Sequence, residues 1–456
     1  MQLWLQFLKW MMKTPIIDFV REYNDKKAIR LHMPGHKGKN LLGFEEYDIT
    51  EIDGADVLYH SDGIILESEK NASEIFESNT FYSAEGSSLC IRAMLFLSMS
   101  KNKSKRPYVL AARNVHKTFV TAASLLDFDV KWLYSKDNLS YHSCHITKEM
   151  VENELSSAKE LPFAVYLTSP DYLGYIADIK GIALVCRKYN VLLLVDNAHG
   201  AYLKFLEKSY HPIDLGADMC CDSAHKTLPA VTGAAYLHIS KNIDSYYSLH
   251  AKEALGLFAS TSPSYLILQS LDYVNLYIAN NRNIYIDFCN KLKEVRKQLI
   301  DNGFILLGDE DMKLTIDAKK YGYTGNEMSD YLLKNNIVSE FHDEDYLVLM
   351  LTPENTDSEL LKLKDVLLAL PKRKELNRVE FIPKKKETIM SIREATFSLR
   401  ERVKVEDAIN QILADTQVSC PPAIPIVVSG ERIDISDVEM FKYYGVDECS
   451  IVKNDI

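Results

Sequence analysis

Short runs of branched apolar residues alternate along this chain with amphipathic stretches. The runs at 108–112, 130–133, 163–167 and 192–196 have the length and residue types of buried strands, and the stretches 115–126, 150–158 and 179–189 carry helical periodicity. That rhythm predicts an α/β domain built on a mostly parallel, doubly wound sheet. Upstream, Thr14-Pro15 opens a helix with proline at its first position, and Ile16, Ile17, Phe19, Val20 and Tyr23 form its apolar stripe. An apolar helix is expected over 89–98, a strand over 232–238, and a long helix to about 279 that buries Leu266, Leu268, Leu271 and Val274. From 284 the pattern changes to helices at 284–302, 326–335 and 358–370 with strands at 304–307 and 313–317, which describes a smaller α+β domain. The expected division is an N-terminal arm and connecting segment over 1–60, a large domain over 61–283, and a C-terminal domain over 284–456.

Composition narrows the setting. With 456 residues, 47% hydrophobic and 26% charged, the chain has ample material for more than one core and the balance of an ordinary soluble protein. A net charge of −11 argues against nucleic acid or an anionic membrane as partner, and no run of apolar residues is long enough to span a bilayer. The apolar opening (Trp4, Leu5, Phe7, Leu8, Trp10) lacks a basic leader and is interrupted by Lys9, so a packing helix or dimer arm is expected rather than an export signal. The eight cysteines show no CxxC spacing and read as reduced thiols of a cytoplasmic protein.

The chemistry concentrates at two points. The apolar run 192–196 ends in Asp196, and the C-terminal edge of such a strand is where ligands bind in open α/β sheets. Thirty residues on (226 − 196) stands Lys226, among Ser223, His225 and Thr227. A strand-end carboxylate and a downstream lysine among hydroxyls suit pyridoxal phosphate: the lysine can form a Schiff base, the carboxylate can hold the pyridine nitrogen protonated, and hydroxyls can take the phosphate. Singly, each residue has a commoner role, a helix cap for the aspartate and a solvated charge for the lysine. Gly86-Ser87-Ser88 at the start of the helix expected from 89 offers amides and hydroxyls to a phosphate. No metal is expected. His142, Cys144, His145 and the Cys220-Cys221 pair lack ligand spacing, and the acidic stretch 48–63 lacks that of a calcium loop.

Asp196-Asn197-Ala198-His199-Gly200-Ala201 and Ser223-Ala224-His225-Lys226-Thr227-Leu228-Pro229-Ala230 resemble the cofactor motifs of the ornithine/lysine/arginine decarboxylases, which are aspartate-aminotransferase-like, fold-type I pyridoxal-phosphate enzymes. The stretches 31–38, 48–63, 81–88, 113–117, 168–174, 260–265 and 420–431 resemble the same family, so the likeness covers roughly 14–435 and matches its short form. The resemblance implies that the large domain binds pyridoxal 5'-phosphate. Gly86, Ser87, Ser88, His116, Thr168, Asp196, His199, Ser223, His225, Lys226 and Thr261 would contact it, with His116 stacked on the ring. Lys226, Asp196 and His116 would be the catalytic residues. It implies decarboxylation of arginine, lysine or ornithine to an amine that serves as polyamine precursor, with Glu431 near the substrate's distal amine. The ordinary alternative for Glu431 is a surface pair with Arg432. The segment carrying Thr261 implies a homodimer with shared active sites, which could assemble further.

This chain departs from the family pattern at Glu85, Asn197, Ala423 and Ser429. Three rivals stay open: an aminotransferase or other lyase that clamps a carboxylate with Arg393, a non-catalytic homologue, and a metal hydrolase using Asp196, His199 and His225. Which basic amino acid is used is not legible from these residues.

Overall fold

The computed structural model describes residues 12–135, 140–281, 283–379, 384–416 and 423–453. The apolar opening up to Met11 and the stretch Cys420-Pro421-Pro422 lie outside the described residues. Seven strands belong to the first part of the chain: β1 (Asn79–Ser83), β2 (Tyr108–Ala112), β3 (Asp129–Leu133), β4 (Ala164–Thr168), β5 (Leu192–Asp196), β6 (Met219–Asp222) and β7 (Ala235–Ile239). The chain forms two compact units, one of Met1–Lys101 with Leu192–Ile286 and one of Asn102–Val191 with Asp287–Ile456.

In the first unit the strands run in the order β1-β7-β6-β5. β5 and β6 are parallel with Asp196 opposite Cys221, whereas β7 is antiparallel to both β6 and β1. Leu193, Leu194 and Val195 have no exposed surface, as a strand covered on both faces requires, and this is why β5 reads as an unbroken apolar run. The helix Gly86–Met99 buries Leu89, Cys90, Ile91, Ala93, Met94, Leu95 and Leu97, so it is an interior helix rather than an amphipathic one. Pro15 begins the first described helix, Pro15–Asp25, and Asp272 accepts the amides of Ile16 and Ile17, two donors that a helix start leaves unpaired.

In the second unit β4, β2 and β3 are parallel. The helix Lys117–Leu126 follows β2 and stops at Asp127 in the left-handed region, while Asp178 caps Ile179–Lys188 through the amide of Gly181. The C-terminal part adds β8 (Leu306–Leu307), β9 (Lys313–Asp317), β10 (Phe341–His342) and β11 (Tyr346–Met350), an antiparallel sheet in the order β10-β11-β9-β8. Helices Gly325–Lys334 and Asp357–Leu368 each start with a capping box, Thr324 with Glu327 and Thr356 with Glu359. A last pair, β12 (Arg400–Lys404) and β13 (Glu448–Val452), packs with Val405, Leu413, Val427, Ile433 and Phe441 around a small core.

The fold is thus mixed α/β with the expected parallel pairing in its large sheet regions. Among the described residues no helix is long and apolar enough to cross a membrane.

Candidate active site

In the first unit, parallel β5 and β6 deliver Asp196 and the turn after Asp222 to the same strand edge. Asp196 is 2% exposed. Its Oδ1 accepts the amide of Ala198 at 3.2 Å and the Cys221 thiol at 3.7 Å, and burial pushes that thiol well up, so it stays a protonated donor. The chain then turns at Asn197–Gly200, closed by the Gly200 amide on the Asn197 carbonyl at 2.8 Å. His199 leaves this turn and meets the lysine, with His199 Nε2 at 2.9 Å from Lys226 Nζ. Lys226 sits in the single-turn helix Ala224–Thr227 after β6. Its neighbour His225 contacts the Ala234 carbonyl through Nδ1 at 3.0 Å. Two predicted phosphate residues are also joined here, since the Ser223 hydroxyl donates to Ser87 Oγ at 2.9 Å.

Gly86 has a φ of +71°, and a Cβ built on it meets no heavy atom within 4 Å. A left-handed glycine with open space beside it, at the start of the 14-residue helix Gly86–Met99 and next to two serines, fits a phosphate group. Together with a buried strand-end carboxylate and a lysine amine, this donor set fits pyridoxal phosphate. Thr261 lies on an exposed loop of the same unit.

The second unit carries the other predicted residues. His116 caps the helix Lys117–Leu126, its Nδ1 accepting the Thr118 amide at 3.2 Å. Thr168 ends β4, and its buried Oγ1 has no hydrogen-bond partner among the described residues. Glu431 is 2% exposed. It pairs not with Arg432, which contacts Glu387 at 2.9 Å, but with Arg113: Arg113 Nη2 donates to Glu431 Oε2 at 3.0 Å. The Val428 amide donates to the same oxygen at 2.8 Å, and Oε1 is buried without a partner among the described residues. Arg113 also lies over the Trp132 ring. Reasoning from sequence missed Arg113 in this role, although it opens the Arg113-Asn114-Val115-His116-Lys117 motif.

Three of the four departures from the family pattern have a local hydrogen-bond partner, and the alanine at 423 is not explained in this way. Glu85 turns its carboxylate to the Ser260 amide, which donates to Oε1 at 2.7 Å. Asn197 Nδ2 donates to Asp222 Oδ1 at 2.7 Å. Ser429 uses the amide a proline would lack, donating to Thr416 Oγ1 at 3.1 Å. Ala423 holds a φ of +58°, the region that favours glycine, and its carbonyl accepts the Lys117 amide at 2.8 Å.

Arg393, the carboxylate clamp of the aminotransferase alternative, is spent on a helix end: it donates to the Ser124 and Leu125 carbonyls at 2.8 and 3.3 Å. Among the described residues the donors close enough to share an ion are His211, Cys220 and Asp222, not Asp196, His199 and His225.

The sequence model of "Orn/Lys/Arg decarboxylase, major domain" matches residues 14–306, and that of the family's C-terminal domain matches 379–450. The chain belongs to the Orn/Lys/Arg decarboxylase family. It is therefore an enzyme of a family that removes the carboxyl group of basic amino acids. It is 27% identical over 462 residues to an arginine decarboxylase of Halalkalibacterium halodurans, covering 93% of this chain and 92% of that protein. Among solved structures it is similar to a lysine decarboxylase of Francisella novicida, with a TM-score of 0.81 at 16% identity over 97% of this chain and 82% of that one. A structure of SPT with PLP shares the fold at a TM-score of 0.52 and 13% identity, over 67% of this chain and 75% of that one. At these identities the structural likenesses speak for the fold alone.

Proposed function

We propose that this protein is a pyridoxal-phosphate-dependent decarboxylase of arginine, lysine or ornithine, and that its product amine is a polyamine precursor. One observation carries the reading: Lys226 Nζ lies 2.9 Å from His199 Nε2, on the turn after β6, while Asp196 ends the neighbouring parallel strand. When bound, the cofactor supplies an electron sink for the pair released as the Cα–carboxylate bond breaks. The protein's own residues do the rest. Gly86, Ser87, Ser88 and Ser223 would hold the phosphate through amides and hydroxyls, while the Glu85 carboxylate accepts the Ser260 amide. Asp196, shielded from water, would hold a proton on the cofactor's pyridine nitrogen. His199 orients the Lys226 amine, which would hold the cofactor and would deliver a proton to the substrate α-carbon.

The roles of His116 on the ring face, Thr168 at the ring oxygen or substrate, His225 beside the lysine and Thr261 toward a second subunit follow from the family resemblance. So does the homodimer with shared sites. The unpartnered Glu431 Oε1 supports a contact with the substrate's distal cation, because a buried carboxylate oxygen of that kind accepts a charge-assisted hydrogen bond. Cys90, Cys220, Cys221, Cys289 and Cys449 are free thiols, in keeping with a cytoplasmic setting.

Titration of the purified protein with pyridoxal phosphate tests the reading. A visible absorbance band should develop in the native protein and be missing in Lys226→Ala, with both proteins equally folded. An identical band in the two would take Lys226 out of the role.

A further inference from the structure

Behind the Lys226 turn lies a buried cluster that the proposed chemistry does not use. Asp222, the last residue of β6, has no exposed surface, and its two oxygens receive three donors. Asn197 Nδ2 reaches Oδ1 at 2.7 Å, and His211 Nε2 and His238 Nε2 reach Oδ2 at 3.1 and 3.2 Å. The second nitrogen of His238 is held in turn by Thr80 Oγ1 at 3.0 Å and Ser78 Oγ at 3.3 Å. Burial alone would push the Asp222 carboxyl up, but the neighbouring His211 and His238 and the hydrogen bonds they donate outweigh it and hold the group well below the usual carboxylate range. Both imidazoles donating to one carboxylate account for the closeness of His211 and Asp222, and the Cys220 sulfur lies 3.9 Å from His211 Nε2.

The position of this anion matters more than its burial. Asn197 is the residue after Asp196, and Ser223, the residue after Asp222, opens the turn that carries Lys226. Asn197 is fixed to β6 twice, by its amide on the Cys221 carbonyl at 3.0 Å and by its side chain on Asp222. The turn that presents His199 to Lys226 is thereby pinned to the strand that leads into the Lys226 turn.

Resting on the cofactor reading above, we propose that Asn197 and Asp222 are positioning residues: their hydrogen bond, backed by His211 and His238, sets the register between the Asp196–His199 turn and the Ser223–Lys226 turn. Asparagine at 197 is then a requirement of this chain, because an anion at 222 needs a donor there.

A charge exchange tests this. Asn197→Asp sets two carboxylates against each other. Combined with Asp222→Asn it restores every contact, since the new amide donates to residue 197 and its oxygen accepts both imidazoles. We expect Asn197→Asp to weaken pyridoxal phosphate binding, read by absorbance titration, by about tenfold or more, the scale of one lost buried hydrogen bond. The double variant should return to within about threefold of the native protein. Hydrogen exchange at the amides of Ala198 and Gly200, read without cofactor, should speed up in the single variant and recover in the double. Asn197→Ala, which removes only the tie, should show the same local exchange and weaker binding if the aspartate variant does not fold. An unaltered single variant, or a double variant no better than the single, overturns the proposal. A native protein that gives no visible band with pyridoxal phosphate defeats the cofactor reading instead, and the exchange data then still decide whether the pair sets the turns.

Discussion

Arg113 and Glu431 stand 318 residues apart in sequence and form a buried ion pair, Nη2 to Oε2 at 3.0 Å. The arginine also donates to the Ile426 carbonyl at 3.1 Å, so the pair fastens the C-terminal segment to the end of β2. Oε2 is thereby committed, and Oε1 has no hydrogen-bond partner among the described residues. Glu431→Gln should raise KM for a basic amino acid about tenfold or more, with the visible band of the bound cofactor unaltered, because a neutral amide loses the charge-assisted bond. It should also lower unfolding stability by about 1–3 kcal/mol, since Arg113 loses its counter-charge but keeps a hydrogen-bond acceptor. Steady-state kinetics and urea unfolding read the two effects separately. An unchanged KM removes Glu431 from the substrate site.

Gly430 presents Glu431. Its φ is +89°, and a Cβ there would lie 2.3 Å from the Met390 carbonyl oxygen, which is backbone and cannot rotate away. Gly430→Ala should therefore displace the turn that aims Glu431, costing about 2 kcal/mol or more in stability. KM should rise with it, while the cofactor band persists. A variant as stable as the native protein would show that the 428–431 turn yields easily and does not hold the glutamate.

His142 and Asp343 approach to 3.7 Å without forming an ion pair. Burial drives the His142 pKa down to about 3, and burial drives that of Asp343 up to about 7 against the opposing hydrogen bonds from the Tyr346 and Asp345 amides. Because the folded-state pKa of Asp343 lies above its unfolded value near 3.9, the folded protein binds the extra proton between about pH 4 and 7. Stability from this group is therefore present below pH 4 and declines as pH rises through 7. Asp343→Asn should make the protein more stable at pH 8, by on the order of 2 kcal/mol, and leave it little changed at pH 4. A gain of equal size at both pH values would show that Asp343 is ionised throughout.

How much of this was legible depends on where each signal lies. β5 was predicted over 192–196, which is what the structure has, because a strand buried on both faces is a local pattern ending in a charge. The Lys226 motif was local too. β12 was not legible: Arg400-Glu401-Arg402-Val403-Lys404 is almost wholly charged and exposed, and it is a strand only because β13 pairs with it. β11 was passed over since a five-residue apolar run after an acidic turn does not by itself distinguish strand from helix. Asp222 was not singled out from sequence. Its meeting with His238 comes from the β6–β7 register, which sets Cys220 opposite His238, and no window of sequence contains that register. Arg113 and Glu431 are the extreme case, each recognisable in its own motif and neither pointing to the other.

The central claim is decarboxylation of a basic amino acid at Lys226, and release of CO₂ measures it directly. The native protein, loaded with pyridoxal phosphate, should release CO₂ from arginine, lysine or ornithine at least about a hundredfold faster than from leucine or glutamate, the discrimination a site built to pair a distal cation supports. Lys226→Ala should release none above background. No release from any of the three basic amino acids, or a preference for an uncharged or acidic one, would contradict the account.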